Sequence, residues 1–226
     1  MNTSTIDNET AALVALFRGL DTPAVSDALD KLGLPGQCQG IAPLDNYRAT
    51  VCGPAFTVKY VPSGIPPGFI GEYQDDVPAG AVVMADNGGR TDCTVWGDIM
   101  TQWATQYGFA ATVIDGVCRD VMKAIGDGYP MFTRGRYMRT GKDRAELAGV
   151  NVAVSIGGVR VRPGDIVVAD ANGVVVVALE RAAEVAEAAR HIEKVEAAIR
   201  AAITKGHTLA QAREELGYHL LQRKQA

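Results

Sequence analysis

The chain has 226 residues, 47% of them apolar and 21% charged, with a net charge of −4 at pH 7. That balance is too apolar for a disordered chain, and the length allows a real core without a disulfide or metal staple. There is no basic stripe and no run of about 20 apolar residues, which argues against a nucleic-acid partner and a membrane span.

The N-terminus, MNTSTIDNET, is polar and lacks a basic stretch followed by an apolar one, so the expected location is the cytoplasm. Residues 8–20 have helical spacing. A second helix is predicted from TPAVSDALDKLG, with Thr22 as N-cap, Pro23 at the first helical position and Gly33 at the stop. Residues 51–61 read as a strand, and PSGIPPG, 62–68, as a loop. GAVVMAD, 80–86, is a short apolar strand that the turn NGGRTD ends. Residues 93–108 predict a helix with Val95, Ile99, Met100, Trp103 and Tyr107 on one face, closed by Gly108. FAATVIDG, 109–116, is the next strand.

Strand, helix and strand in that order make a βαβ unit, so the two strands are expected to be parallel. Both then end at one edge of the sheet, where ligands collect in open α/β folds. Farther on, residues 150–179 alternate through short strands with turns at Gly157-Gly158, Pro163-Gly164-Asp165 and Asn172-Gly173, which reads as antiparallel hairpins. From Glu180 an Ala- and Glu-rich helix runs to Gly206, and a last amphipathic piece follows. The expected organisation is one α/β domain, residues 1–206, with a helical tail, 207–226. The tail's Leu209, Leu216, Leu220 and Leu221 suit packing on this chain or on a neighbouring subunit.

Few residues are placed for chemistry. The buried-looking run TVIDGVC ends in Arg119 and Asp120. An arginine fork suits a carboxylate, and an aspartate offers hard oxygens to Mg²⁺ or Mn²⁺. The same pair also reads as a solvated surface ion pair. Asp98, early in the predicted helix, belongs to the same sheet edge; it is either a third member of a site or a favourable charge in a first helical turn. His191, His207 and His219 have no partner at ligand spacing. Lys59 is the one lysine placed for an imine, and Cys38, Cys52, Cys93 and Cys118 match no zinc or redox spacing, reading as reduced, mostly buried thiols.

Asp98, twenty intervening residues and then Arg119-Asp120 resembles the D-x20-R-D signature of the class II pyruvate aldolases. These are the 4-hydroxy-4-methyl-2-oxoglutarate / 4-carboxy-4-hydroxy-2-oxoadipate aldolases, which share a fold with the regulator of ribonuclease activity A proteins. VSDALDKLG, GPAFTVKY, GAVVMADNGG, WGDIMTQWA, VIDGVCRD and GGVRVRPGDIVVADANGVVVV fall in the family order over roughly residues 20 to 206. RTDCTVW and PSGIPPGFIGEY depart from the family pattern, both near the expected site.

The resemblance implies a compact layered α-β-β-α domain with a mixed sheet, assembled as trimers or dimers of trimers. It implies a divalent-metal-dependent lyase, using Mg²⁺ or Mn²⁺, that cleaves a 4-hydroxy-2-oxo mono- or dicarboxylic acid to pyruvate and a second carbonyl product. Oxaloacetate decarboxylation is implied with it. Arg119 would bind the substrate carboxylate and keto oxygen, Asp120 would hold the metal, and Asp98 would orient water on the metal and assist proton transfer. Backbone N–H groups of Thr94, Val95, Trp96 and Gly97 would receive the carboxylate. Glu196, or alternatively Glu193, would complete the metal shell from a neighbouring subunit. The alternative within the fold is a non-catalytic trimer that binds and inhibits an endoribonuclease.

Overall fold

The structure is a computed structural model that describes residues 5–45, 47, 49–218 and 221. Helices α1 (Asn8–Leu16) and α2 (Thr22–Leu32) precede the two-residue strand β1 (Ala42–Pro43) and the long strand β2 (Val51–Pro62). Next come β3 (Val82–Thr94), α3 (Asp98–Gln106), β4 (Ala111–Cys118), α4 (Val121–Gly126) and β5 (Met131–Arg136). Strands β6 (Ala145–Val150), β7 (Val154–Ile156), β8 (Val159–Val161), β9 (Ile166–Asp170) and β10 (Gly173–Val177) follow, and α5 (Ala182–Thr204) and α6 (Leu209–Glu215) end the chain.

Two β layers lie between two helical layers, as the resemblance implies. Strands β2, β3, β4 and β5 run parallel, with β1 and β6 antiparallel at the margins. The first residues of β2 pair instead with β9, which pairs with β10, so β2 belongs to both layers. The alternation of side chains along each strand decides what fills each space. Val83 and Ile114 face α3 and α4 together with Phe56 and Val58. Their neighbours Met84 and Val113 face inward, against Val167 and Val174 and the β7–β8 hairpin. Ile166, Val168, Val175 and Val177 face outward from the second layer and bury against α1, α2 and α5. Both faces of the central strands are covered, which is why their sequences read as unbroken apolar runs.

The predicted βαβ unit is present, but its boundaries shift. β3 does not stop at Asp86. NGGRTD continues the strand, because the positive φ of Gly88 and Gly89 (62° and 70°) lets the chain bulge and rejoin β4 at Arg90 and again at Thr94. The helix accordingly starts at Asp98, not at residue 93, and Ile99 points to solvent while Met100, Trp103 and Tyr107 pack on the core. At α2 the cap is Asp21, whose Oδ1 accepts from the Ala24 N–H at 2.9 Å. Thr22 instead gives its N–H and hydroxyl to Asp170. Gly33 ends α2 as expected, at φ 67°.

Two of the three expected turns close hairpins, β7–β8 and β9–β10. The Pro163-Gly164-Asp165 turn joins strands that lie in different sheets. In the tail, Leu216 is half-buried, Leu221 is buried and Leu209 is exposed, while His219 and Leu220 lie outside the described residues. Among the described residues no helix is long and apolar enough to cross a membrane.

Candidate active site

β4 is buried along its whole length. Beyond Cys118 the chain turns sharply: Asp120 takes a left-handed backbone, φ 55° and ψ 35°, and α4 begins. Few residues other than glycine adopt that conformation, aspartate among them, and strain of this kind gathers at functional sites. The turn brings the Asp120 carboxylate to the start of α3. Its Oδ2 lies 3.3 Å from Arg119 Nε and accepts from the Asp98 N–H at 3.3 Å. The Asp98 side chain folds onto its own helix start, where Oδ1 accepts from the Ile99 N–H at 2.9 Å. Arg119 and Asp120 thus meet the backbone of Asp98, distant in sequence, at one edge of the sheet.

Gly97 makes this meeting possible. A Cβ there would lie 2.9 Å from Asp120 Oδ2 and 3.4 Å from Arg119 Nε. Its backbone is extended, φ −149°, so alanine would be unstrained in itself. Gly97→Ala is therefore expected to push the Arg119–Asp120 pair aside. Site function should fall at least tenfold while the melting temperature stays within a few degrees, read by a ligand-binding or activity assay beside thermal unfolding.

Of the four residues expected to offer backbone donors, two are committed within the protein. The Thr94 N–H donates to the Arg139 carbonyl at 3.0 Å, and the Trp96 N–H to the Thr94 hydroxyl at 3.2 Å. Thr94, Val95 and Trp96 are all buried; Gly97 alone of the four lines the cleft. That cleft encloses about 350 Å³ between Gly97, Asp98, Arg119, Trp103, Gly71 and Lys142. Gly71 comes from the segment PSGIPPGFIGEY, so one of the departures from the family pattern forms a cleft wall. The loop is tied down by Glu146, whose Oε2 accepts from the Gly64 and Gly68 N–H groups at 3.1 and 3.0 Å. A recess of about 230 Å³ on the other side of Arg119 is lined by Asp120, Arg136 and Met138. A larger cavity, about 520 Å³, lies elsewhere, between α2 and the β9–β10 turn. No charged side chain lines it, so it lacks groups for acid–base or oxo-acid chemistry.

Asp98 and Asp120 are exposed carboxylates with hard oxygens. Among the described residues no group of three or more His, Cys, Asp or Glu side chains gathers. Two carboxylates fit a Mg²⁺- or Mn²⁺-type cation, which keeps several waters and takes remaining ligands from substrate; they do not fit a closed zinc site. Glu193 and Glu196 sit on α5, which packs against α1 and α2 across the molecule from α3. Both pair with Arg200, at 2.6 and 3.3 Å.

The remaining candidates are placed away from this chemistry. Lys59 Nζ donates to Asp86 at 3.0 Å, which makes it an ion-pair partner and not an imine-forming amine. His191 is exposed on α5, and His207 lies 3.9 Å from Glu215. All four cysteines are free, with Cys52 half-buried and the other three buried. Burial pushes the Cys38 and Cys52 thiols up to about 12, so neither is a nucleophile near neutral pH.

The sequence reading missed a pair of buried carboxylates within the central strands. Asp86 pairs with Lys59 and accepts from the Ser155 N–H at 3.1 Å; Asp115 pairs with Arg134 and accepts from the Gly157 N–H at 2.8 Å. Together they pin the β7–β8 hairpin to the sheet. The sequence signal was an aspartate closing each of two apolar strands.

The RraA-like family model, described as Aldolase/RraA, matches residues 22–176. Protein DlpA of Legionella pneumophila is 41% identical over 197 residues, covering 86% of this chain but 32% of its own length, so the chain spans about a third of that relative. A Halalkalibacterium halodurans protein named "Putative 4-hydroxy-4-methyl-2-oxoglutarate aldolase" is 36% identical over 73% of this chain and 75% of its own. Among solved structures, an uncharacterized protein from Pseudomonas syringae pv. tomato superposes with a TM-score of 0.83 at 44% identity, covering 93% of this chain and 99% of that one. Streptomyces coelicolor RraAS2, described as an unusual member of the RNase ES inhibitor RraA protein family, superposes at 0.75 with 28% identity, covering 85% and 96%. Fold, motif order and these likenesses agree, and the chain belongs to the RraA-like aldolase/RraA family.

Proposed function

We propose that this chain is a divalent-metal-dependent carbon–carbon lyase that cleaves a 4-hydroxy-2-oxo acid to pyruvate and a second carbonyl product. The observation that carries the reading is the Asp120 carboxylate set against Arg119 Nε and the Asp98 N–H over the side-chain-free Gly97, beside a cleft that Arg119 and Asp98 line. The aldolase name of the Halalkalibacterium relative supports it.

Arg119 presents a planar fork to the substrate carboxylate and holds the scissile bond in line. Asp120 would hold the cation, and Asp98 would orient water beside it. When bound, the cation supplies Lewis-acid stabilisation for negative charge developing at the keto oxygen. Asp98, exposed beside it, takes the proton of the C4 hydroxyl as the C3–C4 bond breaks. The bonding pair passes to the three-carbon fragment, which becomes pyruvate on protonation at C3. Oxaloacetate needs no base, since the C3–C4 bonding pair passes to the same three-carbon fragment as CO₂ leaves. A trimer or dimer of trimers, with Glu196 of the partner subunit completing the metal shell, is part of the proposal. It is supported by the shortage of carboxylates at the site among the described residues.

Incubation with Mg²⁺ or Mn²⁺ should release pyruvate from a 4-hydroxy-2-oxo acid or from oxaloacetate, and a chelator should abolish it reversibly. Silence on both substrate types, with metal occupancy confirmed, rejects the lyase. The rival reading, a ribonuclease-binding regulator, draws on the likeness to RraAS2. Capture of an endoribonuclease by metal-free protein, undiminished in Arg119→Ala, would favour it.

A further inference from the structure

We infer that Thr101 is a positioning residue whose hydroxyl aims the Asp120 carboxylate through a buried chain of hydrogen bonds. The inference rests on the lyase reading, in which Asp120 holds the cation, and goes beyond it to how that carboxylate is fixed. The chain starts at the Trp96 indole. Its Nε1–H donates to the Thr101 hydroxyl at 3.0 Å, and the hydroxyl donates to the Gly97 carbonyl at 3.1 Å. That carbonyl belongs to the same peptide unit as the Asp98 N–H, which donates to Asp120 Oδ2 at 3.3 Å. One rigid plane therefore carries the Thr101 contact on one side and the Asp120 contact on the other.

Gly97 is the N-cap of α3 and has no side chain with which to hold the helix start, so a restraint is supplied from inside the helix by Thr101. The bond from Asp98 to Asp120 is at the long end of the range for an N–H donor, and a small tilt of the peptide is enough to lose it. Trp96 and Thr101 are 2% and 1% exposed, so water does not stand in for either partner. A hydroxyl can accept the indole proton and donate to the carbonyl at once. Behind it, the Thr94 hydroxyl accepts from the Trp96 N–H at 3.2 Å and donates to the Trp96 carbonyl at 2.9 Å, which fixes the residue that supplies the indole. Hydrogen bonds in series polarise one another, so the Thr101 hydroxyl also strengthens the Asp98 N–H as a donor to the carboxylate. Thr105 provides a comparison in the same helix. Its hydroxyl makes the same kind of bond one turn back, to the Thr101 carbonyl at 2.9 Å, but it is exposed and a turn farther from Asp120.

Mn²⁺ binding, measured by calorimetry on the native chain and its variants, tests the role. Thr101→Val keeps the shape and removes the hydroxyl. It should weaken Mn²⁺ binding about tenfold, as loss of a partner behind a metal ligand does. Thr101→Ser keeps a hydroxyl and should retain most of the affinity, and Thr105→Val should bind as the native chain does. Thr101→Ala leaves room for water at the indole and gives the same comparison should valine impair folding. Native affinity in a folded variant without the hydroxyl overturns the inference, as does an equal loss in Thr105→Val or in Thr101→Ser. Pyruvate release judges the lyase separately. Hydroxyl-dependent binding without release overturns the lyase and retains the positioning role; release with affinity unmoved does the reverse. Native protein that binds no Mn²⁺ overturns both.

Discussion

Arg119→Lys is expected to lower kcat/KM for pyruvate release by roughly 10² to 10³-fold, the range found when one preorganised donor is removed from a developing charge. Lysine keeps the positive charge. It loses the planar pair of donors that can grip a carboxylate at two points and fix its orientation. Folding should hardly notice, because the Arg119 and Asp120 side chains are 38% and 39% exposed and pairs of that kind contribute about 1 kcal/mol or less. Steady-state kinetics beside thermal unfolding measures both. Activity within about threefold of native would mean that the guanidinium is not the anchor, and the Arg119–Asp120 contact would then be a surface ion pair.

Asp86→Ala should act on stability, lowering it by about 3 kcal/mol. The carboxylate is nearly inaccessible and serves three donors: Lys59 Nζ at 3.0 Å, the Gly88 N–H at 2.9 Å and the Ser155 N–H at 3.1 Å. Alanine leaves two backbone donors without a partner inside the protein. Lys59 is 42% exposed and can turn to water, which holds the cost below that of a fully buried broken pair. Urea unfolding gives the magnitude, and faster amide exchange along β7 and β8 locates the loss. A change under about 1 kcal/mol would show that the hairpin is held by its apolar contacts alone.

The core of the fold was legible because its signals are local. Apolar runs at 80–86 and 109–116 with a helical pattern between them lead to a parallel pair, and Gly33 and Gly157-Gly158 mark a stop and a turn where the chain makes them. The extension of β3 was not legible. Gly88 and Gly89 signal reversal when read alone, and only the waiting edge of β4 makes the chain bulge and continue. β5 and β6 escaped notice because MFTRGR and AELAGV mix charge and glycine into short segments that gain their order from neighbouring strands. At the site, Arg119 and Asp120 were legible as a charged pair at the end of an apolar run and Asp98 as a charge at the same sheet edge, and the motif spacing then joined them. What no spacing reveals is the empty volume at Gly97, or that Lys142 shares a cleft with Arg119.

The backbone at Asp120 limits which substitutions can probe its charge. Asparagine has the same shape and, like aspartate, tolerates a positive φ, so Asp120→Asn changes the formal charge and leaves the turn intact. Alanine, glutamate or valine would also oppose the bend itself, and a defect in those variants would mix a misdirected chain with a missing ligand. The corner between β4 and α4 is thus an aiming device, and the amino acids it admits are fewer than electrostatics alone would allow.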